Sequence, residues 1–230
     1  MLDRQIHQSI LLQILKDVYT NSSLGPLLGF KGGTAAHLFY NLGRFSVDLD
    51  FDLLDEAKEA FIFEKIENIL KEYGVIRDKH IKRHTILHVL SYEEQAPNIK
   101  VEVNRRSLGS RYAVQNYLGI SMLVMEKADM FAHKLVAMLE RQAAAHRDVY
   151  DVWFFLKNRW PVNKQIVEER TQNKFACHLE RCIEFVESLS TRSILSGLGE
   201  LIDEKQKTWV KQNLKNDTAF LLKILLEQQN

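Results

Sequence analysis

A pair of glycines and a pair of aspartates lie close together near the amino end of this 230-residue chain. Gly32-Gly33-Thr34 follows a short apolar run, and Asp48-Leu49-Asp50 comes after thirteen further residues. Glycines after a strand let backbone N–H groups approach a phosphate, and the amino end of the following helix attracts the same negative charge. Two aspartates spaced by two lie on one face of a strand, where they supply the oxygen ligands that a divalent cation prefers. The spacing therefore predicts a phosphate-binding turn beside a metal site.

Simpler interpretations of both motifs stay open on these residues alone. Glycine pairs mark plain tight turns more often than they mark phosphate sites. The alternation of Asp48, Asp50 and Asp52 with apolar residues also suits a solvated edge strand, although aspartate is poor in strands and like charges repel.

Glu102 is the candidate for a third carboxylate. It lies in Lys100-Val101-Glu102-Val103-Asn104, which alternates as a strand does. A third acid could help to hold a second metal ion or receive the proton of an attacking hydroxyl. The alternative is a surface glutamate paired with Lys100 or Arg105.

Basic residues recur further along the chain at helical spacing. Lys127, Lys134 and Arg141 follow one another at seven-residue intervals, which predicts one cationic stripe that would suit a triphosphate. Lysine stems that cover apolar neighbours on a solvated face would give the same pattern. Downstream, Arg147-Asp148-Val149-Tyr150-Asp151 also suits an ion pair at i,i+4 with acids near a helix amino end.

Together these motifs resemble the nucleotidyltransferase-fold toxins of the AbiEii/AbiGii group, which includes the MenT toxins, in the polymerase-beta-like superfamily. The likeness begins at Lys31-Gly32-Gly33-Thr34 and continues through residues 44–51, which are similar to the family's acidic strand. Lys134, Arg141 and residues 147–151 are similar to its downstream lysine and Arg-Asp-x-x-Asp motifs. The resemblance covers roughly residues 5–157, and Val47 stands where the family pattern favours Glu.

The resemblance implies an enzyme that moves a nucleoside monophosphate from an NTP to an acceptor hydroxyl and releases pyrophosphate. The expected cofactor is Mg²⁺, with Mn²⁺ as the alternative ion, held by Asp48, Asp50 and Glu102. The expected catalytic residues are Asp48, Asp50, Lys134 and Asp151. The residues expected to bind the nucleotide are Lys31, Gly32, Gly33, Thr34, Lys134 and Arg147.

The same resemblance implies a biological setting. The chain would be the toxin of a toxin–antitoxin or phage-defence system, with an RNA acceptor, the 3′ end of a tRNA, and a separately encoded antitoxin protein as partners. The residues would equally serve nucleotidylation of a protein or of a small molecule such as an antibiotic. A catalytically inactive NTP-binding module is the non-enzymatic alternative.

The elements that must position these residues can be predicted from periodicity. Helices are expected over residues 3–20, 35–42 and 61–70, and strands over 27–30 and 47–53, within 81–92 and over 99–104. From about Leu123 only helical periodicity is visible. The predicted fold class is therefore α/β (α+β), with a small mixed-sheet nucleotidyltransferase domain over 1–120 and a helical bundle over 121–230.

Composition limits the remaining possibilities. With 46% hydrophobic and 27% charged residues the chain is an ordinary globular protein, and 31 Lys plus Arg against 30 Asp plus Glu provide no global field for nucleic acid or a membrane. The two cysteines have no metal-ligand spacing, and no apolar run reaches the length of a membrane span. We expect a cytoplasmic protein without a membrane partner.

Three histidines have the spacing of zinc ligands on one helix face. They are His80, His84 and His88. The segment alternates as a strand does, and no cysteine or acid completes a ligand set, so a zinc site is not expected here.

Overall fold

The structure is a computed structural model that describes residues 3–140 and 145–229. Strands and helices alternate up to Lys71, five strands follow up to Met125, and the elements after that are helices. The predicted mixed α/β class is confirmed.

All strands of the described residues lie before residue 126. They are β1 (Leu28–Lys31), β2 (Leu49–Leu53), β3 (Val75–Ile81), β4 (Thr85–Ser91), β5 (Ile99–Asn104), β6 (Tyr112–Tyr117) and β7 (Ile120–Met125). The helices among them are α1 (Arg4–Thr20), α2 (Gly32–Tyr40) and α3 (Glu59–Lys71). The helices that follow are α4 (Lys127–Glu140), α5 (Ala145–Lys157), α6 (Lys164–Thr171), α7 (Phe175–Ser188), α8 (Glu204–Trp209) and α9 (Lys215–Glu227).

The strands form one mixed sheet in the order β3-β4-β5-β2-β1-β7-β6. At its centre β2 pairs antiparallel with β1 and parallel with β5, and β1 also pairs parallel with β7. Phe30 of β1 and Phe51 of β2 are register partners, and both side chains are fully buried. The opposite face of these two strands carries the polar residues, so one face of the sheet builds the core and the other can hold a site.

The first predicted helix is confirmed. The carboxylate of Asp3 caps α1 by accepting hydrogen bonds from the backbone of Gln5 and Ile6, and Leu11, Ile14, Leu15 and Val18 bury the helix face.

Three strands were not expected from the sequence. β3 is an edge strand whose apolar alternation is broken by a bulge between Ile76 and Asp78. β6 and β7 form a hairpin whose turn residues, Leu118 and Gly119, both have positive φ, as a tight hairpin turn requires. The prediction that only helix follows Leu123 is wrong for the last residues of β7.

Two compact units divide the chain. One contains the residues up to Asn41 together with Phe45–Met125, and we call it the sheet unit. The other contains Leu42–Arg44 and the residues from Glu126 onward, and we call it the helical unit. Within the part of the chain that the structure describes, no helix has both the length and the apolar character needed to span a membrane.

Candidate active site

The glycine turn is built against the second aspartate. Gly32 opens α2 directly after β1 and has a φ of 76°, a region that favours glycine. A Cβ at this position would overlap with the carboxylate of Asp50 and lie 2.9 Å from its Cβ. Gly32 therefore lets the carboxylate of Asp50 lie directly against the first turn of α2.

The first aspartate is fixed by its backbone and by one side-chain oxygen. Asp48 lies one residue before β2, which begins later than the predicted strand. The buried hydroxyl of Thr34 donates a hydrogen bond to the backbone carbonyl of Asp48, and Oδ1 of Asp48 accepts the backbone N–H of Lys100 at 3.1 Å. The two motifs predicted to cooperate are thus joined directly.

The predicted third acid lies beside the second one. In the parallel pairing of β2 with β5, Asp50 and Glu102 are register partners, so their side chains leave adjacent strands on the same face. Both side chains are half-buried. Like charges at directly opposed positions destabilise a sheet unless something compensates them. This pairing places two carboxylates side by side, and carboxylate oxygens are ligands that a divalent cation prefers.

The donor set fits a Mg²⁺ ion that binds together with a nucleotide. Across residues 3–140 and 145–229, no three His, Cys, Asp or Glu side chains are grouped so as to hold a metal by themselves. Mg²⁺ is usually held by one or two carboxylates, with substrate phosphates and water completing its shell. Asp48 and Asp50 provide those two carboxylates beside the glycine turn.

Lys31 contacts a third aspartate of the same segment. Its Nζ lies 2.5 Å from Oδ1 of Asp52, which also accepts from Asn104, while Tyr112 donates to Oδ2. Burial favours the neutral form of Asp52, but the charge of Lys31 and these hydrogen bonds outweigh it and lower its pKa. In this structure Lys31, a predicted nucleotide ligand, is held by Asp52.

Lys134 and Asp151 meet in the helical unit, in a cluster that we call the Lys134 cluster. Lys134 Nζ lies 2.7 Å from Oδ1 of Asp148 and 2.8 Å from Oδ2 of Asp151. Arg44 completes the cluster, because its Nε and one terminal nitrogen donate to the two oxygens of Asp151 at 2.6 and 2.7 Å. The cluster therefore contains two cations and two carboxylates.

Because the Lys134 cluster is shielded from water, its positive and negative groups stabilise one another's charged forms. Asp151 is fully buried and Arg44 is only 4% exposed. Burial opposes the charge of Asp151, but Arg44 and Lys134 prevail and lower its pKa. Burial likewise opposes the charge of Lys134, while Asp148 and Asp151 raise its pKa. Asp151 and Lys134 are therefore both charged at neutral pH.

The other predicted basic residues have separate environments. Lys127 is exposed at the start of α4, and its Nζ lies 5.4 Å from the centre of the Trp160 ring. Lys134 is half-buried and held by the carboxylates of its cluster, so the two do not form one exposed stripe. Arg147 is half-buried in the first turn of α5, and the prediction for Arg141 lies outside the described residues.

Sequence reasoning missed two members of these clusters. In the sequence Arg44 is visible only as part of a motif. Its partner, Asp151, is 107 residues away along the chain. Asp52 was noticed only as part of an alternation. A buried arginine or aspartate in a short apolar context signals a partner, but the sequence does not identify which one.

One family model matches most of the chain. It describes the nucleotidyl transferase AbiEii toxin of a type IV toxin–antitoxin system and matches residues 13–223. No curated protein matches the chain.

Solved structures with the same fold come from Helicobacter pylori. The chain superposes on JHP933 with a TM-score of 0.63 at 18% identity, covering 100% of this chain and 96% of that one. It superposes on a second protein, named as a candidate nucleotidyltransferase, with a TM-score of 0.64 at 19% identity, covering 99% and 97%. At these identities the likeness shows the fold.

Proposed function

Because the chain belongs to the AbiEii family of nucleotidyl transferase toxins, we propose that it transfers a nucleoside monophosphate from an NTP to a hydroxyl of an RNA. The family membership makes the chain a nucleotidyltransferase of a type IV toxin–antitoxin system, with an antitoxin as its partner. The proposed acceptor is the 3′ end of a tRNA, and the proposed setting is phage defence in the cytoplasm.

One observation carries the proposed chemistry. Asp50 lies against the glycine turn and is the register partner of Glu102, with Asp48 two residues earlier. Carboxylates beside a helix amino end suit a site where a divalent cation and a triphosphate bind together. This arrangement supports a phosphoryl-transfer site.

The nucleotide would bind through main-chain and side-chain donors. The backbone N–H groups of Gly32, Gly33 and Thr34 belong to the first turn of α2, where helical partners are missing, so they can donate to phosphate oxygens. On the resemblance, Lys134 is proposed to add its positive charge to the phosphates.

The proposed metal ion is Mg²⁺, held by Asp48 and Asp50. When bound, such an ion neutralises negative charge on the phosphate oxygens and orients them. Glu102, as the register partner of Asp50, is proposed either to contribute an oxygen to this site or to accept a proton from the acceptor.

In the proposed reaction, the acceptor oxygen attacks the α-phosphorus and a new P–O bond forms. The bond from the α-phosphorus to the bridging oxygen of the β-phosphate breaks, and pyrophosphate leaves with that electron pair. The hydroxyl proton passes to the carboxylate of Glu102 if this residue acts as the base, and to water if Glu102 instead binds the ion. The contribution of the protein is chiefly to position the reactants and to stabilise charge.

The first experiment incubates the purified protein with Mg²⁺, total RNA and each α-³²P-labelled NTP in turn. We expect label in RNA, concentrated in the tRNA fraction. The double variant Asp48→Asn/Asp50→Asn should lose at least about 100-fold of this activity, because it retains the shape of both side chains but not their charge.

A matched control is Asp78→Asn, which removes an exposed aspartate of β3 in the same sheet. It should label RNA as the wild type does. Label in protein or in a small molecule instead of RNA would refute the RNA acceptor. NTP binding without any transfer would refute the enzymatic proposal and leave a binding module.

A further inference from the structure

Arg44 holds the carboxylate of Asp151 at both oxygens. This two-point geometry requires the planar guanidinium group and cannot be reproduced by an ammonium group. Arg44 is 4% exposed and Asp151 is fully buried, so the pair is shielded from water and acts at close range.

Lys134 shares the carboxylate that Arg44 holds. Its Nζ lies 2.8 Å from Oδ2 of Asp151, the oxygen to which Arg44 also donates. Its second carboxylate contact is Oδ1 of Asp148 at 2.7 Å. With Arg44 present, Asp151 keeps a counter-ion even when Lys134 moves away from it.

Without Arg44 the balance of the cluster changes. Among the residues that the structure describes, Lys134 would then be the cation left in contact with Asp148 and Asp151, which are both almost completely buried. If the ammonium group of Lys134 moved to a substrate phosphate, both buried carboxylates would lose their counter-ion, and proteins strongly disfavour such a state. Lys134 would therefore be held in place by the carboxylates.

We propose that Arg44 is a positioning residue. It neutralises Asp151, so that the ammonium group of Lys134 can leave this carboxylate and contact the triphosphate of the substrate. This inference rests on the proposed function, in which Lys134 contacts the nucleotide. It assigns to Arg44 an effect on the availability of Lys134 and no contact with the nucleotide.

The electrostatics of the cluster agree with this role. The positive charge of Arg44 opposes protonation of Lys134 and so lowers the pKa of the lysine, against the two carboxylates that raise it. Removing Arg44 should raise this pKa further. The free amine, which reacts with acylating reagents, then becomes rarer at any given pH.

The test measures the availability of Lys134 directly. Acylation of each lysine by acetic anhydride at pH 9 is followed by mass spectrometry, with the exposed Lys205 as the internal reference. Arg44→Met should slow acylation of Lys134 about tenfold relative to Lys205. Arg44→Met/Asp151→Asn, which restores one cation for one carboxylate, should return the rate to within about twofold of the wild type.

A kinetic measurement accompanies it. Arg44→Met should raise the KM for the NTP about tenfold and lower kcat less, because the lost contact is made with the bound nucleotide. Arg170→Met is the matched control, since it removes an arginine that pairs with Glu140 in the same unit. This control should leave acylation of Lys134 and the KM unchanged.

The outcomes separate the two proposals. Unchanged or faster acylation of Lys134 in Arg44→Met overturns the role of Arg44. Unchanged NTP affinity in Lys134→Met overturns the proposed role of Lys134, whatever the acylation rates show. If Arg44→Met does not fold, the double variant Arg44→Met/Asp151→Asn decides, and a tenfold slower acylation of Lys134 in it overturns the inference.

Discussion

At the scale of single residues, Gly32 tests how closely the glycine turn and the strand that carries Asp50 must approach. An alanine at this position would have an unfavourable φ of 76° and would push its Cβ into the carboxylate of Asp50. Displacing Asp50, the proposed metal ligand, by about 1 Å can cost about 100-fold in rate. We therefore expect Gly32→Ala to lower kcat for nucleotide transfer about 100-fold, measured with the labelled NTP that the wild type prefers.

The chain offers a control that separates the backbone cost from the overlap. Gly119, in the hairpin between β6 and β7, has a similar φ of 81°, and a Cβ there would meet nothing within 4 Å. Gly119→Ala should lower the free energy of unfolding by about 1 kcal/mol, the same backbone cost as in Gly32→Ala. The Gly119→Ala protein should retain the transfer activity of the wild type. Equal activities of the two variants would refute the importance of this contact.

At the scale of elements, β4 carries a buried histidine that makes the stability of the protein sensitive to acid. His88 is fully buried and its ring lies 4.6 Å from that of Phe63 on α3. Burial lowers its pKa from 6.5 to about 4, with Lys79 and His80 acting in the same direction and Glu67 opposing them. The unfolded chain therefore binds a proton in a pH range where the folded protein does not.

The sign of the effect follows from this difference. The stability contributed by neutral His88 is complete above pH 6.5 and is lost as the pH falls towards 4. The loss over this range is about 3 kcal/mol. His88→Leu should flatten the dependence of the unfolding free energy on pH between 6.5 and 4.5, measured by urea titration at each pH.

His84→Leu is the matched control, because His84 is exposed in the turn between β3 and β4. It should keep the slope of the wild type. An unchanged slope in His88→Leu would show that other groups cause the acid sensitivity.

Elements were predictable where local pattern and burial agree. The glycine pair and the alternating aspartates predicted β1, α2 and β2, and the register then placed Asp50 beside Glu102. β3 was missed because an exposed edge strand needs no apolar alternation, and β7 because its apolar run over residues 122–125 also suits a helix. The Lys134 cluster could not be derived, because its pairing of Arg44 with Asp151 is a tertiary contact.

At the scale of the whole molecule, the path of the chain links the two units. The chain passes from one unit to the other three times, after Asn41, after Arg44 and after Met125. Leu42 and Arg44 are buried and belong to the helical unit, while the residues on both sides of this segment belong to the sheet unit. Because a short segment of the helical unit lies between two parts of the sheet unit, we expect both units to unfold in one transition.

Tryptophan fluorescence can test this coupling, because Trp153, Trp160 and Trp209 all lie in the helical unit. Phe30→Ala removes a fully buried ring of the sheet unit and should cost about 3–5 kcal/mol. If the units unfold together, this variant lowers the midpoint of the tryptophan transition in urea as much as that of the circular dichroism transition. Leu179→Ala, in the core of the helical unit, shows the response of the reporter to a direct change. An unaltered tryptophan transition in Phe30→Ala would mean that the units unfold independently despite the three crossings.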